Sequence, residues 1–444
     1  MHFILALALV FTVQQPRPLP SDSAVAALLA ARVQTFPDTA RHGEGIVIGL
    51  LDATGGRRYV AIGVDTGSVF EIGSITKTFT ASILSDMVAR GEVRLDDPVA
   101  KFLPPSARIP ARGGKQITLL DLATQSSGLP RMPSNMTPRD SSNPYADYSV
   151  QQMYAFLGGY ELSRDIGATY EYSNLGMGLL GHALALKAGM SYEALVTQRV
   201  LAPLGMRETA VTLTPALKAK LAPGHDPEGH VVPNWDLPTL AGAGALRSTA
   251  RDMLTYLAAN LDTATRLERA MRDAHTARRE AGSATTKIGL AWHLSSRPPP
   301  VGTIVWHNGG TGGYRTFAGF DPVRRVGVVV LSNLNASVDD IGFHLLDETF
   351  PLRRPPVQRT EVAVDSLVLQ GYVGDYTLAP TFQIAVTREG AHLFVQATGQ
   401  PRFGIFADSD STFFLKAVDA QITFRPDGMV LHQNGQHLPG RKVR

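Results

Sequence analysis

The order of apolar runs along this chain constrains its fold more than any other feature. Residues 45–51 and 58–62 are short and apolar, and Asp52-Ala53-Thr54-Gly55-Gly56 between them is a good hairpin turn. Comparable runs return only late, at residues 302–306, 314–320 and 325–331, each bounded by Gly, Asp or Pro. Between them the sequence is mainly helical, above all over residues 117–210, with loops at 126–130 and 132–148. Strands at both ends with helices between predict that distant segments pair into one mostly antiparallel sheet. The fold class is therefore α/β (α+β): an antiparallel sheet flanked by helices, with a helix-rich insertion.

Residues 22–36 read as an amphipathic helix, because Ala24, Val25, Leu28, Leu29 and Val33 share one stripe. Residues 343–350 read as a closing helix and residues 351–356 as a linker. Beyond the linker the period changes. Phe382, Ile384 and Val386 alternate with polar or small residues, as do Leu393, Val395 and Ala397, then Phe413 and Leu415, then Ile422 and Phe424. Turn signals at Arg388-Glu389-Gly390 and Pro426-Asp427-Gly428 separate these runs. Residues 357–444 thus predict a small all-β barrel or sandwich domain after a main domain over residues 21–350.

Composition narrows function by exclusion. The 444 residues carry a formal net charge of only +3 and no block of like charge, so a nucleic-acid partner has no electrostatic support. The chain has no cysteine, which excludes disulfides, zinc-thiolate sites, thiol catalysis and a lipid-modified N-terminal cysteine. Residues 3–13 are apolar and lead into a polar, Pro-rich stretch up to residue 20, as in the h-region and exit of a signal peptide. The expectation is an exported protein, periplasmic or secreted. That run is too short to span a bilayer, and no other is long enough.

Chemistry concentrates in three places. In Phe70-Glu71-Ile72-Gly73-Ser74-Ile75-Thr76-Lys77 a hydroxyl and an amine sit three residues apart, where a β-type run turns helical. Ser74 opening a helix would have Lys77 one turn along on the same face, within reach of its oxygen. A serine needs such a base to become a nucleophile. Ile75, Phe79, Ile83, Leu84, Met87 and Val88 continue the helical spacing, and Gly91 is a stop. The ordinary alternative is a capping serine beside a solvated lysine. In Tyr170-Glu171-Tyr172-Ser173-Asn174, Tyr172 is a candidate acid/base and Asn174 a candidate ligand for a substrate carbonyl. The alternative is a loop tyrosine with Asn174 capping the helix that follows. In Trp306-His307-Asn308-Gly309-Gly310, a strand ends in a histidine, and glycines then let backbone approach a ligand. The Gly310 amide could join that of Ser74 as an oxyanion hole. Phosphate-loop spacing is missing. His225-Asp226-Pro227-Glu228-Gly229-His230 holds metal-ligand types, but its centre reads as a hairpin turn and no zinc spacing is formed, so no metal or cofactor is expected.

Taken together and in this order, the three motifs resemble the serine β-lactamase and penicillin-binding D,D-peptidase superfamily. Ser74-x-x-Lys77 is the nucleophile motif, and Tyr172-Ser173-Asn174 matches the Tyr-x-Asn of the class C-like branch. Leu95-Asp96-Asp97-Pro98-Val99, Ser127-Gly128-Leu129-Pro130 and Gly244-Ala245-Leu246-Arg247-Ser248-Thr249-Ala250 are further resemblances. The resemblance implies a β-lactamase/transpeptidase-like fold over about residues 22–350, with an accessory β domain behind it. It also implies a two-step acyl transfer. Ser74 attacks, Lys77 and Tyr172 share the proton work, Asn174 positions the substrate, and the Ser74 and Gly310 amides stabilise the oxyanion. His307, Asn308 and Gly309 fall in the substrate-binding motif, where class C enzymes usually place lysine first.

With a pKa of about 6.5, a histidine there is mostly neutral at pH 7 and attracts a carboxylate less. The expected substrates are small molecules or peptides: β-lactams or D-Ala-containing peptides. One rival is an esterase using the same site. The other is a penicillin-binding sensor with slow turnover.

Overall fold

In the computed structural model, residues 18–36, 43–298, 301–353, 361–379, 382–398, 402–415, 420–433 and 436–443 are described. The chain forms two compact units, Met1–Arg353 and Arg354–Arg444. The apolar N-terminal stretch at 3–13 and the end of the expected linker, 354–356, lie outside the described residues.

Strands from both ends of the first unit make one eight-stranded sheet. These are β1 (Ile46–Leu51), β2 (Arg57–Ile62), β3 (Arg279–Ser283), β4 (Thr286–Ile288), β5 (His293–Ser296), β6 (Thr303–Gly310), β7 (Arg315–Asp321) and β8 (Val326–Ser332), in the order β2-β1-β8-β7-β6-β5-β4-β3. Every pairing is antiparallel. The join between early and late segments is the β1–β8 ladder, where Val47 faces Leu331 and Leu50 faces Val328. β1 is buried along its whole length because both of its faces are covered. Ile46, Ile48 and Leu50 pack into one core and Val47 and Leu51 into another, as the period of two requires. The smaller core lies under α1 (Asp22–Val33); the larger carries the helices described next.

The helix that follows the Ser74 turn, α2 (Thr76–Ala89), runs through the larger core and is buried on all sides, not on one stripe. Three of its hydroxyls bond to backbone carbonyls. Thr78 donates to Ile75 O at 2.8 Å, Thr80 to Gly242 O at 2.8 Å and Ser82 to Thr78 O at 3.0 Å. The ring of Phe79 stacks on Tyr256 of α4 (Ala250–Leu261) at 3.9 Å, and α3 (Asn174–Ala188) packs beside α2.

Three expectations shift. The strand expected to end near residue 306 continues as β6 to Gly310. Its glycines let it run against the turn before α2, where a Cβ at Gly309 would sit 2.0 Å from Ile72 O. The closing helix, α5 (Asp339–Leu346), starts earlier than 343, with Asp339 and Asp340 at its positive end, and stops before Asp347. The short strands β3 to β5 are polar at many positions and carried no apolar run to reveal them.

The second unit is a closed eight-stranded antiparallel barrel from Gly374 to Lys442, preceded by a short helix, Ser366–Tyr372, that the sequence pattern had hidden. Ile384, Val386, Leu393, Val395, Phe413, Ile422 and Phe424 point inward, so the alternating residues are its core.

Because Phe79 joins α2 to the stacked ring of Tyr256, Phe79→Ala should destabilise the first unit by about 3–5 kcal/mol. Guanidinium unfolding followed by tryptophan fluorescence checks this; an unchanged midpoint would remove α2 from the centre of the core.

Candidate active site

Ser74 lies in a single tight turn, Gly73–Ile75, that leads straight into α2. Gly73 has φ 50°, a left-handed value that favours glycine, and a Cβ there would lie 2.7 Å from Gly310 N. The Ser74 turn and the end of β6 therefore meet backbone to backbone. This brings the Ser74 and Gly310 residues to one place although they are far apart in sequence.

Lys77, one turn past Ser74 at the start of α2, is 0% exposed. Its Nζ is 2.8 Å from Ser74 Oγ, 2.8 Å from Asn174 Oδ1 and 2.7 Å from Ala243 O. Burial holds its pKa well below the usual lysine range, and the nearby charge of Arg131 lowers it further. A neutral amine fits this cage: it donates to the two carbonyl oxygens and accepts the Ser74 hydroxyl proton.

Tyr172 completes the group. Its ring centroid is 4.8 Å from Lys77 Nζ and 5.0 Å from the Arg131 guanidinium, and its hydroxyl hydrogen-bonds with Ser74. Burial pushes the phenol up, so Tyr172 keeps its proton. The following helix is capped by Ser173, not by Asn174: Ser173 Oγ accepts from Gly176 N at 2.8 Å. Asn174 is thereby left free to hold Lys77.

A cavity of about 190 Å³ lies beside the Ser74 turn. Ser74, Asn174 and Gly310 line it, with Tyr145 and Trp235 as an aromatic wall and Arg131 and Arg315 as its charged residues. A larger cavity of about 750 Å³ lies on the other side of Leu237 and touches none of the three motifs. The smaller one is where Ser74, Asn174 and Gly310 meet.

Residues 27–346 match the β-lactamase family. The chain belongs to that family. It is accordingly a serine hydrolase. Residues 358–433 match a second family, a domain of unknown function (DUF3471). A β-lactamase of Lysobacter lactamgenus is 26% identical over 384 residues, covering 76% of this chain and 95% of that one. The D-alanyl-D-alanine-carboxypeptidase/endopeptidase AmpH of Escherichia coli (strain K12) is 29% identical over 277 residues, covering 60% of this chain and 70% of that one. The crystal structure of a class C β-lactamase from Rhodobacter sphaeroides superposes with a TM-score of 0.62 at 24% identity, covering 74% of this chain and 98% of that one. Like the sheet order, this likeness supports the β-lactamase-like fold.

Within this β-lactamase-family site, His307 is not where sequence reasoning placed it. Its side chain is 0% exposed, its Nδ1–H donates to Asn308 O at 2.6 Å, and its Nε2 has no partner among the described residues. It lies behind Tyr172, ring centroids 6.2 Å apart, and beside His293, 5.2 Å apart, not on the cavity wall. The reason is strand alternation: with Gly309 packed on Ile72, the side chain at 307 faces the interior. Asn308 turns the other way, its Nδ2 donating to Asp339 at 2.7 Å.

The cavity residues missed from sequence were Arg131, Arg315, Tyr145 and Trp235. Arg131 directly follows the Gly128-Leu129-Pro130 segment and was within view; the others carried no local signal. His225–Val232 forms the expected hairpin, Gly224–His225 pairing with Val231–Val232. Among the described residues no helix is long and apolar enough to cross a membrane.

Burial holds His293 down to about 4 and His307 well below the ordinary histidine value. Unfolded histidines protonate below about pH 6.5 while these stay neutral, so the unfolded state binds more protons and stability falls as pH drops from about 6.5 toward 4. Each such histidine contributes at most about 1.4 kcal/mol per pH unit across that window. His293→Gln should flatten this acid slope relative to wild type in melts between pH 7 and 4; an unaltered slope would mean that His293 titrates normally.

Proposed function

We propose that this protein transfers acyl groups to water through a covalent ester on Ser74, acting on β-lactams or on peptides ending in D-Ala. The observation that carries the reading is the desolvated Lys77 amine held 2.8 Å from Ser74 Oγ. Lys77 takes the hydroxyl proton while Ser74 Oγ attacks the carbonyl carbon. The amides of Ser74 and Gly310 receive the oxyanion, and the close approach of Gly73 to Gly310 supports that pairing. Tyr172, still protonated, gives its proton to the leaving nitrogen and is resupplied from Lys77. Asn174 keeps Lys77 in place through Oδ1 while lining the cavity. Water then attacks the acyl-enzyme by the reverse proton route.

The opposite pKa directions of Lys77 and Tyr172 favour Lys77 as the base, a choice the motifs alone left open. The substrate class follows the relatives, one called a β-lactamase and another a D-alanyl-D-alanine-carboxypeptidase/endopeptidase. An exported location suits such substrates and the apolar residues 3–13.

A fluorescent penicillin should label the wild-type protein covalently and leave Ser74→Ala unlabelled; label on the mutant would sink the nucleophile assignment. In wild type, hydrolysis of a chromogenic cephalosporin or release of D-Ala from a D-Ala-D-Ala peptide should exceed hydrolysis of a p-nitrophenyl ester. The reverse order would make it an esterase, and labelling without turnover on any of the three would make it a sensor. Tyr172→Phe should lower the acylation rate by roughly 10²–10⁴-fold with its fold intact. Acylation at the wild-type rate would take Tyr172 out of the proton route.

A further inference from the structure

The second unit carries two histidines that face each other. Its last two strands are Gly428–Gln433 and Gln436–Lys442, and in their ladder His432 is the register partner of His437. Met429 and Leu431 belong to the barrel core, so strand alternation puts His432 and its partner on the outer surface. His432 is half-buried there and His437 is exposed. Their Nδ1 atoms lie 2.6 Å apart.

His432 is also held on its far side. Its Nε2 lies 3.1 Å from Thr423 Oγ1 on the neighbouring strand, Ala420–Arg425, and that hydroxyl lies 3.4 Å from Thr412 Oγ1. With Thr423 donating to Thr412, its oxygen accepts the Nε2–H of His432. That bond selects the tautomer in which Nδ1 of His432 is a lone pair aimed at His437. Proteins present a histidine to a metal in this way, with an oxygen on the other ring nitrogen fixing tautomer and orientation. The motif lies outside the spacings that sequence reasoning tested for zinc, because the two histidines meet across a hairpin and not along a helix.

We infer that His432 and His437 bind a divalent transition-metal ion of the zinc type through their Nδ1 atoms. The ion takes the place of the proton between the two rings. His437 then carries its proton on the other ring nitrogen, and each Nδ1 donates a lone pair. Two nitrogens at about 2.0–2.1 Å from one tetrahedral ion are about 3.3 Å apart, so the rings part by about 0.7 Å, a small rotation for the exposed His437. Imidazole nitrogen favours zinc, nickel or copper over magnesium or calcium. Among the described residues no third histidine or carboxylate joins the pair, so water completes the coordination. The ion ties down the strand that closes the barrel: Gln436–Lys442 also pairs with Gly374–Ala379, at Tyr376 and Thr377. None of this depends on the acyl-transfer reading.

Titration calorimetry of the full chain, free of any purification tag, with zinc chloride tests the site. Wild type should take up one equivalent of zinc that magnesium does not displace, and its melting temperature should rise as zinc is added. His432→Asn and His437→Asn should each abolish that equivalent while melting like wild type without zinc. Thr423→Val, which removes only the oxygen behind His432, should weaken binding by about 10- to 100-fold. No uptake by wild type would overturn the assignment, as would undiminished uptake in either histidine variant. Uptake lost in His230→Asn instead would move the ion to the Asp226–His230 pair and overturn it too. Wild-type affinity in Thr423→Val would mean two exposed histidines collecting zinc without a built site, and the inference would fall.

Discussion

The rest of this structure depends on a primary amine kept out of water. Lys77 is surrounded by Ser74, Asn174 and the Ala243 carbonyl, at the start of a helix that is buried from Thr76 to Met87. Isolated, such a charge would be far too costly to bury, so burial favours the neutral amine, for which the cage supplies polar contacts. Each wall of the cage comes from a different part of the chain. The nucleophile turn, the start of α3 and the segment before Arg247 must all be in place before the amine is satisfied.

That requirement explains why α2 is built as it is. A helix that must deliver Lys77 to the centre of a core has no exposed side on which to place its polar residues. Thr78, Thr80 and Ser82 are instead small hydroxyl residues that bond to carbonyls of their own helix or of its neighbour, with Tyr192 and Tyr256 closing the network. Apolar spacing in the sequence correctly marked a helix, but it suggested a stripe where burial is complete.

Much of the fold was legible because its strong signals are local. β1, β2, β7 and β8 are apolar runs with turn residues at their ends, and the barrel strands alternate cleanly. The edge strands β3 to β5 and the helix before the barrel were not legible, since polar edge positions and a seven-residue helix leave no periodic trace. In the site, Ser74, Lys77, Tyr172 and Asn174 were found as short motifs with chemical meaning, and the structure brings all four together. His307 was found for the same reason but misplaced, because which face of β6 it occupies depends on Gly309 packing against Ile72. Arg315 was invisible: its place at the cavity comes from being opposite Gly310 across a ladder, and register is not written in any one segment.

The contact between Gly73 and Gly310 has a bearing on how the protein comes into being. On one side of it stand Ser74, the proposed nucleophile, and the Lys77 amine, made early in synthesis; on the other stands β6 with Gly310, the proposed second oxyanion donor, made late. A chain emerging from the ribosome thus carries Ser74 and Lys77 for most of its synthesis without an assembled site around them. On the proposed mechanism, reactivity requires the last third of the first unit to fold back onto the first, which makes catalytic competence and completion of the sheet one event.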